Sequence, residues 1–201
     1  MTGVTARLES RAFGRGFFRL LGIGLCLMGA VVLGKGMWIP AKATVAQILL
    51  DRAFDQSQAS HQPVKPWSWA DTVPVARISV PRLGVREVVL AGGSGQAMAF
   101  GPTLLPGGAG IGEAGTSIMA AHRDTHFAFL RDIRPGDIIE VEQVGGSTLR
   151  YRMTGSEVVR WNRFAFDRHP AHPMLLLTSC YPFGAVERGP WRFVAKAEKV
   201  G

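Results

Sequence analysis

Three residues of this chain have types that can do covalent chemistry together: Cys180, His122 and Arg192. Cys180 follows the apolar run "MLLLTS" at 174 to 179 and precedes Tyr181-Pro182, so it belongs where a strand stops and the chain turns. Such a place exposes a side chain while the strand behind it fixes its direction. His122 ends the strand-like "TSIMAA" and opens the polar turn "HRDTH". A thiol and an imidazole held side by side share a proton, so thiolate and imidazolium stabilise each other and the sulfur becomes a nucleophile. Arg192, in "GPWRFVA", opens the last strand, where a guanidinium can donate to the oxyanion of an attacked peptide carbonyl. Arg188, four residues earlier, competes for that role.

Each residue also has a plainer use. An isolated cysteine is usually a small buried hydrophobe, a turn histidine is usually solvated, and an arginine at a strand edge usually faces water. The cysteine count argues against the plain use. The chain has two, Cys26 inside an apolar segment and Cys180 far beyond it. If the segment crosses a membrane they cannot pair, and Cys180 is then an odd thiol in a compartment that oxidises thiols. A metal site from His122, His126, His169 and His172 is the other chemistry on offer. The first pair has the spacing of a zinc helix, but Pro170 and Pro173 put the second pair in a loop, so no metal or other cofactor is expected.

The elements that would position these residues are mostly short strands. From Val73 onward they read as 73 to 80, 86 to 90, 116 to 121, 137 to 144, 147 to 160, 174 to 179 and 191 to 198. Turn signals separate them, including Gly145-Gly146 and a Pro135-Gly136 pair of type II character. Seven strands in so short a span predict an all-β barrel or sandwich. Residues 124 to 133 predict a helical turn, with Asp124 placed either to orient His122 or, the favoured role, to cap that turn, and the Gly-rich run 92 to 115 predicts a long loop. That run lacks the spacing of a phosphate-binding fingerprint.

Ahead of the strands lies an appendage. Residues 20 to 39 are almost uncharged, Lys35 being able to snorkel, and are long enough to cross a bilayer core, with Trp38 at the interface. Arg7, Arg11, Arg15 and Arg19 precede them, which predicts a cytoplasmic basic N-terminus at 1 to 19 and an exported remainder. A cleavable signal peptide is the competing reading, with "AKA" at 41 to 43 as its small-x-small site. Residues 40 to 65 read as a stalk helix and linker, with Val45, Ile48, Leu49 and Phe54 at helical spacing, after which Trp67 and Trp69 pack onto the fold. The net charge is +8, but residues 1 to 42 hold six arginines and lysines against Glu9 alone. Basicity therefore sits in the N-terminal segment, and no nucleic-acid partner is expected.

Three blocks, "AHRDTHFAFLRDIRPGD" (121 to 137), "LLLTSCYPF" (175 to 183) and "GPWRFVAKAE" (189 to 198), together resemble sortases, and "WADTVPVARISVPRLGV" (69 to 85) looks like the sortase N-terminal strand region. The resemblance covers roughly residues 66 to 201 and is nearest to the proteobacterial, Gram-negative type, which shares features with class D. It implies an eight-stranded β-barrel with short helices behind a transmembrane helix and stalk helix. It implies a cysteine transpeptidase with Cys180 as nucleophile, His122 as general acid or base and Arg192 as the substrate and oxyanion arginine, with Arg188 in reserve. It implies a protein substrate bearing a C-terminal LPxTG-like sorting signal, a thioester intermediate, an amine acceptor on a wall or surface component, and no cofactor. The implied location is the inner membrane, single-pass, with the catalytic domain periplasmic. The family's Thr-Leu-x-Thr-Cys reads Leu176-Leu177-Thr178-Ser179-Cys180 here, so Ser179 keeps a hydroxyl and Leu176 loses one.

Two other readings compete. A cysteine acyl-transferase on cell-wall peptide, such as an L,D-transpeptidase, would carry a Ser-His-Gly-Cys type of signature, which "TSCYP" does not resemble. A membrane-tethered barrel that only binds a partner would need neither the thiol nor the imidazole.

Overall fold

In the computed structural model the backbone is described for residues 5 to 201. Side chains before Phe18, and those of Met37, Ile39 and Pro40, lie outside the described residues, so the positions expected of Arg7, Arg11 and Arg15 do too. The chain forms two units, one ending at Val45 and the other running from Ala46 to Gly201. A helix, α1, spans Thr5–Ser60. Its part from Phe18 is long and apolar enough to cross a membrane, and Leu20, Ile23, Leu27, Val31 and Leu33 are all exposed. Lys42 lies over the Trp38 ring, 4.7 Å from its centroid, near the end of that apolar stretch.

The second unit is a closed barrel. Its strands are β1 (Pro74–Val80), β2 (Val85–Ala91), β3 (Thr103–Leu104), β4 (Thr116–Ala120), β5 (Ile138–Gln143), β6 (Thr148–Arg160), β7 (Met174–Tyr181) and β8 (Trp191–Val200). Around the barrel they run β1-β2-β3-β4-β7-β8-β6-β5, and β5 returns to β1. Neighbours are antiparallel except β2 with β3 and β4 with β7. The parallel β4–β7 pair needs a long crossover, and β5 with β6 supplies it. Alternate residues point inward: Ala76, Ile78 and Val80 from β1, Ile139 and Val141 from β5, and Leu175 and Leu177 from β7 meet in one core around the buried Tyr151. The expected turn at Pro135-Gly136 is present, with Gly136 at φ 93, the left-handed value a type II turn requires there.

Seven strands match the sequence expectation, and β3 adds an eighth inside the Gly-rich run. That run also holds a short helix, Gly95–Met98, whose Ser94 accepts a hydrogen bond from the Ala97 amide at 3.0 Å. Between 124 and 133 only Ala128–Arg131 is helical, as a 3-10 turn. Asp124 does not cap it and instead accepts from Arg123 Nε at 3.3 Å. Of the two linker tryptophans, Trp67 packs edge-on against Phe100 at 5.1 Å, whereas Trp69 is exposed.

Residues 46 to 60 of α1 are part of the barrel's own packing. Leu50 and Phe54 are fully buried with Val88, Leu90 and Ala97, and Ala46, Ala53 and Ser57 complete the covered face. Of the expected face, Phe54 is buried and Leu49 partly so, whereas Val45 and Ile48 are exposed. Small residues flank Leu50 and Phe54 in the contact, so hydrophobicity alone finds only part of the face. Arg77 of β1 faces outward beneath this helix, buried, with its guanidinium 4.1 Å from the Phe54 ring centroid. Its Nη2 donates to Asp55 at 2.9 Å and Asp51 at 3.2 Å, and its Nη1 to Glu142 at 3.4 Å. Burial works against that charge, and the two helix carboxylates outweigh it, raising the arginine's pKa above its ordinary value.

A second ion pair closes one end of the barrel. Arg82, in the 3-10 turn Pro81–Leu83, donates to both oxygens of Asp137, at 2.5 Å and 2.7 Å, and the Arg134 amide adds a third bond at 2.8 Å. These bonds, Arg82's foremost, hold the Asp137 carboxyl below the usual range although burial pushes it up. A carboxyl depressed on folding lends stability that is complete above its unfolded value of about 4 and lost as pH falls through the folded value. Asp137→Asn is therefore expected to flatten the fall in melting temperature below about pH 4. A wild-type slope in a pH series of thermal melts would contradict it.

Candidate active site

The strand registers bring the chemistry-bearing residues into one row. On β7, Leu175, Leu177 and Ser179 face the core, so Leu176, Thr178 and Cys180 share the outer face. Across β8, Thr178 lies opposite Val194 and Cys180 opposite Arg192. Across β4, Ile118 pairs with Leu176 and Ala120 with Thr178. His122 follows two residues after Ala120, as Cys180 follows two residues after Thr178. The ends of three adjacent strands thus place imidazole, thiol and guanidinium on the lining of one cleft.

Local bonds hold this register past the end of β4. The Ala121 amide donates to Thr178 O at 3.3 Å, and the buried Ser179 hydroxyl donates to Ala121 O at 2.8 Å. The residue before Cys180 and the residue before His122 are therefore tied to each other, which gives the hydroxyl before the cysteine a physical use. Cys180 itself lies inside β7, one residue before its end, and is half-buried.

The row opens on a cleft of about 500 Å³ lined by His122, Cys180 and Arg192 together with Arg123, Asp124 and Arg188. All residues singled out in the sequence as candidate nucleophile, acid or base, and oxyanion arginine reach it. Arg188, the rival arginine, reaches it from the β7–β8 loop. Arg192 Nη1 donates to Gly189 O at 3.0 Å and Trp191 O at 2.8 Å, which fixes its guanidinium beside the strand. The four histidines do not gather. His126 Nδ1 is 2.8 Å from Glu87 Oε2, His169 and His172 lie on the β6–β7 loop, and no metal-holding group of three or more ligands occurs among the described residues.

Arg123 was not legible in the sequence as more than a turn residue. It is buried, and its Nη2 donates to Glu187 O at 2.9 Å and to Ala185 O. It thereby links the histidine's turn to the far wall of the cleft. Its position between His122 and Asp124 was the available signal, but nothing in a sequence says that an arginine in a polar turn points inward.

Fold and cleft together define a closed β-barrel carrying a cysteine-histidine-arginine row on its outer face. The Sortase domain family matches residues 78 to 200, well over half of the chain. The chain belongs to the sortase family. Similar solved structures include sortase A from Corynebacterium diphtheriae, 23% identical with a TM-score of 0.60 over 66% of this chain and 63% of that one. The Group B Streptococcus pilus island 1 sortase C2 is 22% identical with a TM-score of 0.58, covering 64% and 74%. A Clostridium perfringens sortase D5 transpeptidase is 18% identical with a TM-score of 0.61, covering 79% and 99%. At these identities the likeness is one of fold. No match was found among curated proteins. Membership in the family supports cysteine transpeptidase activity.

Proposed function

We propose that this protein is a membrane-anchored sortase that cleaves an LPxTG-like sorting signal and transfers the acyl portion to an amine. The observation that carries the reading is the single row of His122, Cys180 and Arg192, set by the β4–β7 and β7–β8 registers and open to the cleft. In the first step the Cys180 thiolate attacks the carbonyl of the threonine at the scissile bond. The oxyanion so formed accepts hydrogen bonds from Arg192. The carbon–nitrogen bond then breaks, and His122 gives its proton to the leaving amine, which leaves a thioester on Cys180 and a neutral imidazole. In the second step an acceptor amine adds to the thioester carbonyl, the carbon–sulfur bond breaks, and the nitrogen's proton passes to His122.

The register supports Arg192 over Arg188 for the oxyanion, because Arg192 lies directly across the strand from the thiol. Arg192→Ala is expected to lower turnover by about a hundredfold to a thousandfold, the usual worth of an oxyanion donor. The same change at Arg188 should fall short of that. Steady-state rates on one fluorogenic sorting peptide compare them, and a larger loss at Arg188 would reverse the assignment.

The apolar stretch of α1, exposed from Leu20 to Leu33, supports a single membrane span with the basic N-terminus cytoplasmic and the barrel periplasmic, the domain division being 1 to 19, 20 to 39, 40 to 65 and 66 to 201. The proteobacterial, class D-like subclass is part of the same proposal. The test is to incubate the detergent-solubilised full chain with a panel of LPxTG-type peptides and read an acyl adduct on Cys180 by intact mass. Absence of any adduct, with Cys180 unreactive to a methanethiosulfonate as well, would leave a tethered binding barrel as the better account.

A further inference from the structure

The outer face of β7 runs between two concavities that differ in charge. Toward the start of the strand, Phe164, Phe166, Met174 and Leu176 line a hollow of about 190 Å³. Its lining carries no arginine: Lys196 Nζ lies 3.0 Å from Glu157, and Asp167 adds a second carboxylate. At the cysteine end, Arg123, Arg188 and Arg192 line the cleft with Asp124 as the one carboxylate among its lining residues. Asp124 is already engaged by Arg123. Arg192 is bound to its own loop and lies opposite the thiol.

Arg188 is left over. Its guanidinium makes no hydrogen bond or ion pair with the described residues, yet the segment that carries it is held. The buried Arg123 binds the carbonyls of Ala185 and Glu187, and Glu187 is the residue immediately before Arg188. A buried guanidinium used to fix two backbone carbonyls is an expensive anchor, because its desolvation must be offset by bonds it makes there. The loop is thus constrained to present a free cation to the cleft, while the Glu187 side chain is outside the lining. A cleft lined by one sign of charge concentrates and orients ligands of the other.

Resting on the acyl-transfer reading above, we propose that the acceptor taken by this cleft is an amine with a carboxylate close to it. The carboxylate pairs with Arg188, and that pairing directs the amine nitrogen toward the acyl group on Cys180. The donor's apolar side chains have the aromatic-lined hollow at the other end of β7.

Protection of Cys180 from an uncharged methanethiosulfonate tests this without turnover. The full chain carries Cys26→Ser so that one thiol remains, and intact mass follows its labelling at low salt. The probes are glycyl-glutamate amide and glycyl-glutamine amide, which share an amine and a shape and differ by one charge. The glutamate peptide is expected to protect at a roughly fivefold lower concentration, the worth of one partly solvated ion pair. That advantage should vanish in Arg188→Gln and persist in Arg188→Lys. Equal protection by the two peptides, protection by neither, or an undiminished advantage in Arg188→Gln overturns the proposal. Failure of acyl transfer is read separately, by the donor adduct.

Discussion

Cys180→Ala is expected to abolish both the acyl adduct and transfer to an amine, lowering turnover by at least about a thousandfold while the barrel melts near the wild-type temperature. The two halves of this expectation have different origins. Turnover collapses because the thiol is the only nucleophile in the row, and neither imidazole nor guanidinium can hold the acyl group in its place. Stability survives because the side chain lies half-exposed on the outer face near the end of β7, so its removal opens no core cavity. His122→Ala should behave alike, since His122 is exposed and its ring makes no hydrogen bond to the described residues. Intact-mass assays and thermal melts on the same preparations check both halves. A Cys180→Ala protein that still transfers would remove the thiol from the mechanism.

The second large effect is structural. A chain begun at residue 61 lacks the helical segment that covers β1 and β2, and it is expected not to fold as a cooperative unit, whereas one begun at Ala46 should. Phe54→Ala alone should lower stability by about 3 to 5 kcal/mol, the usual result of deleting a buried aromatic. Truncation adds the exposure of Val88 and Leu90 and strands Arg77 without Asp51, Asp55 or the Phe54 ring. Domain stabilities are only about 5 to 15 kcal/mol in total, so losing this packing is large against them. Urea unfolding of the two truncated chains is the comparison to make. A sharp, wild-type transition for the shorter one would show the helix to be dispensable.

These two expectations differ in how much of them the residues alone disclose. Cys180, His122 and Arg192 stand out by type and by neighbours, because strand ends and polar turns leave local marks. That they meet depends on the β4–β7 register, a pairing between segments separated by a whole hairpin, and no local pattern encodes it. Seven strands are legible through alternation and turn residues, but β3 is two residues long and has no period to detect. The helix at 46 to 60 is legible as a helix, yet its buried face is only partly so: Phe54 is buried as expected, but Leu50, Ala46, Ala53 and Ser57 complete the contact and Val45 and Ile48 do not. Arg77 and Arg123 are the remaining surprises. Both are arginines buried for what they grip, and composition treats them as surface.

The cross-strand row has a temporal side. His122 and Cys180 are 58 residues apart along the chain and Arg192 follows 12 residues later, so no stretch of nascent polypeptide holds a working pair. The sulfur has these neighbours only once β7 lies between β4 and β8 in the closed barrel. Under the proposed chemistry, assembly is its own safety catch: a molecule that has not finished folding has nothing with which to cut.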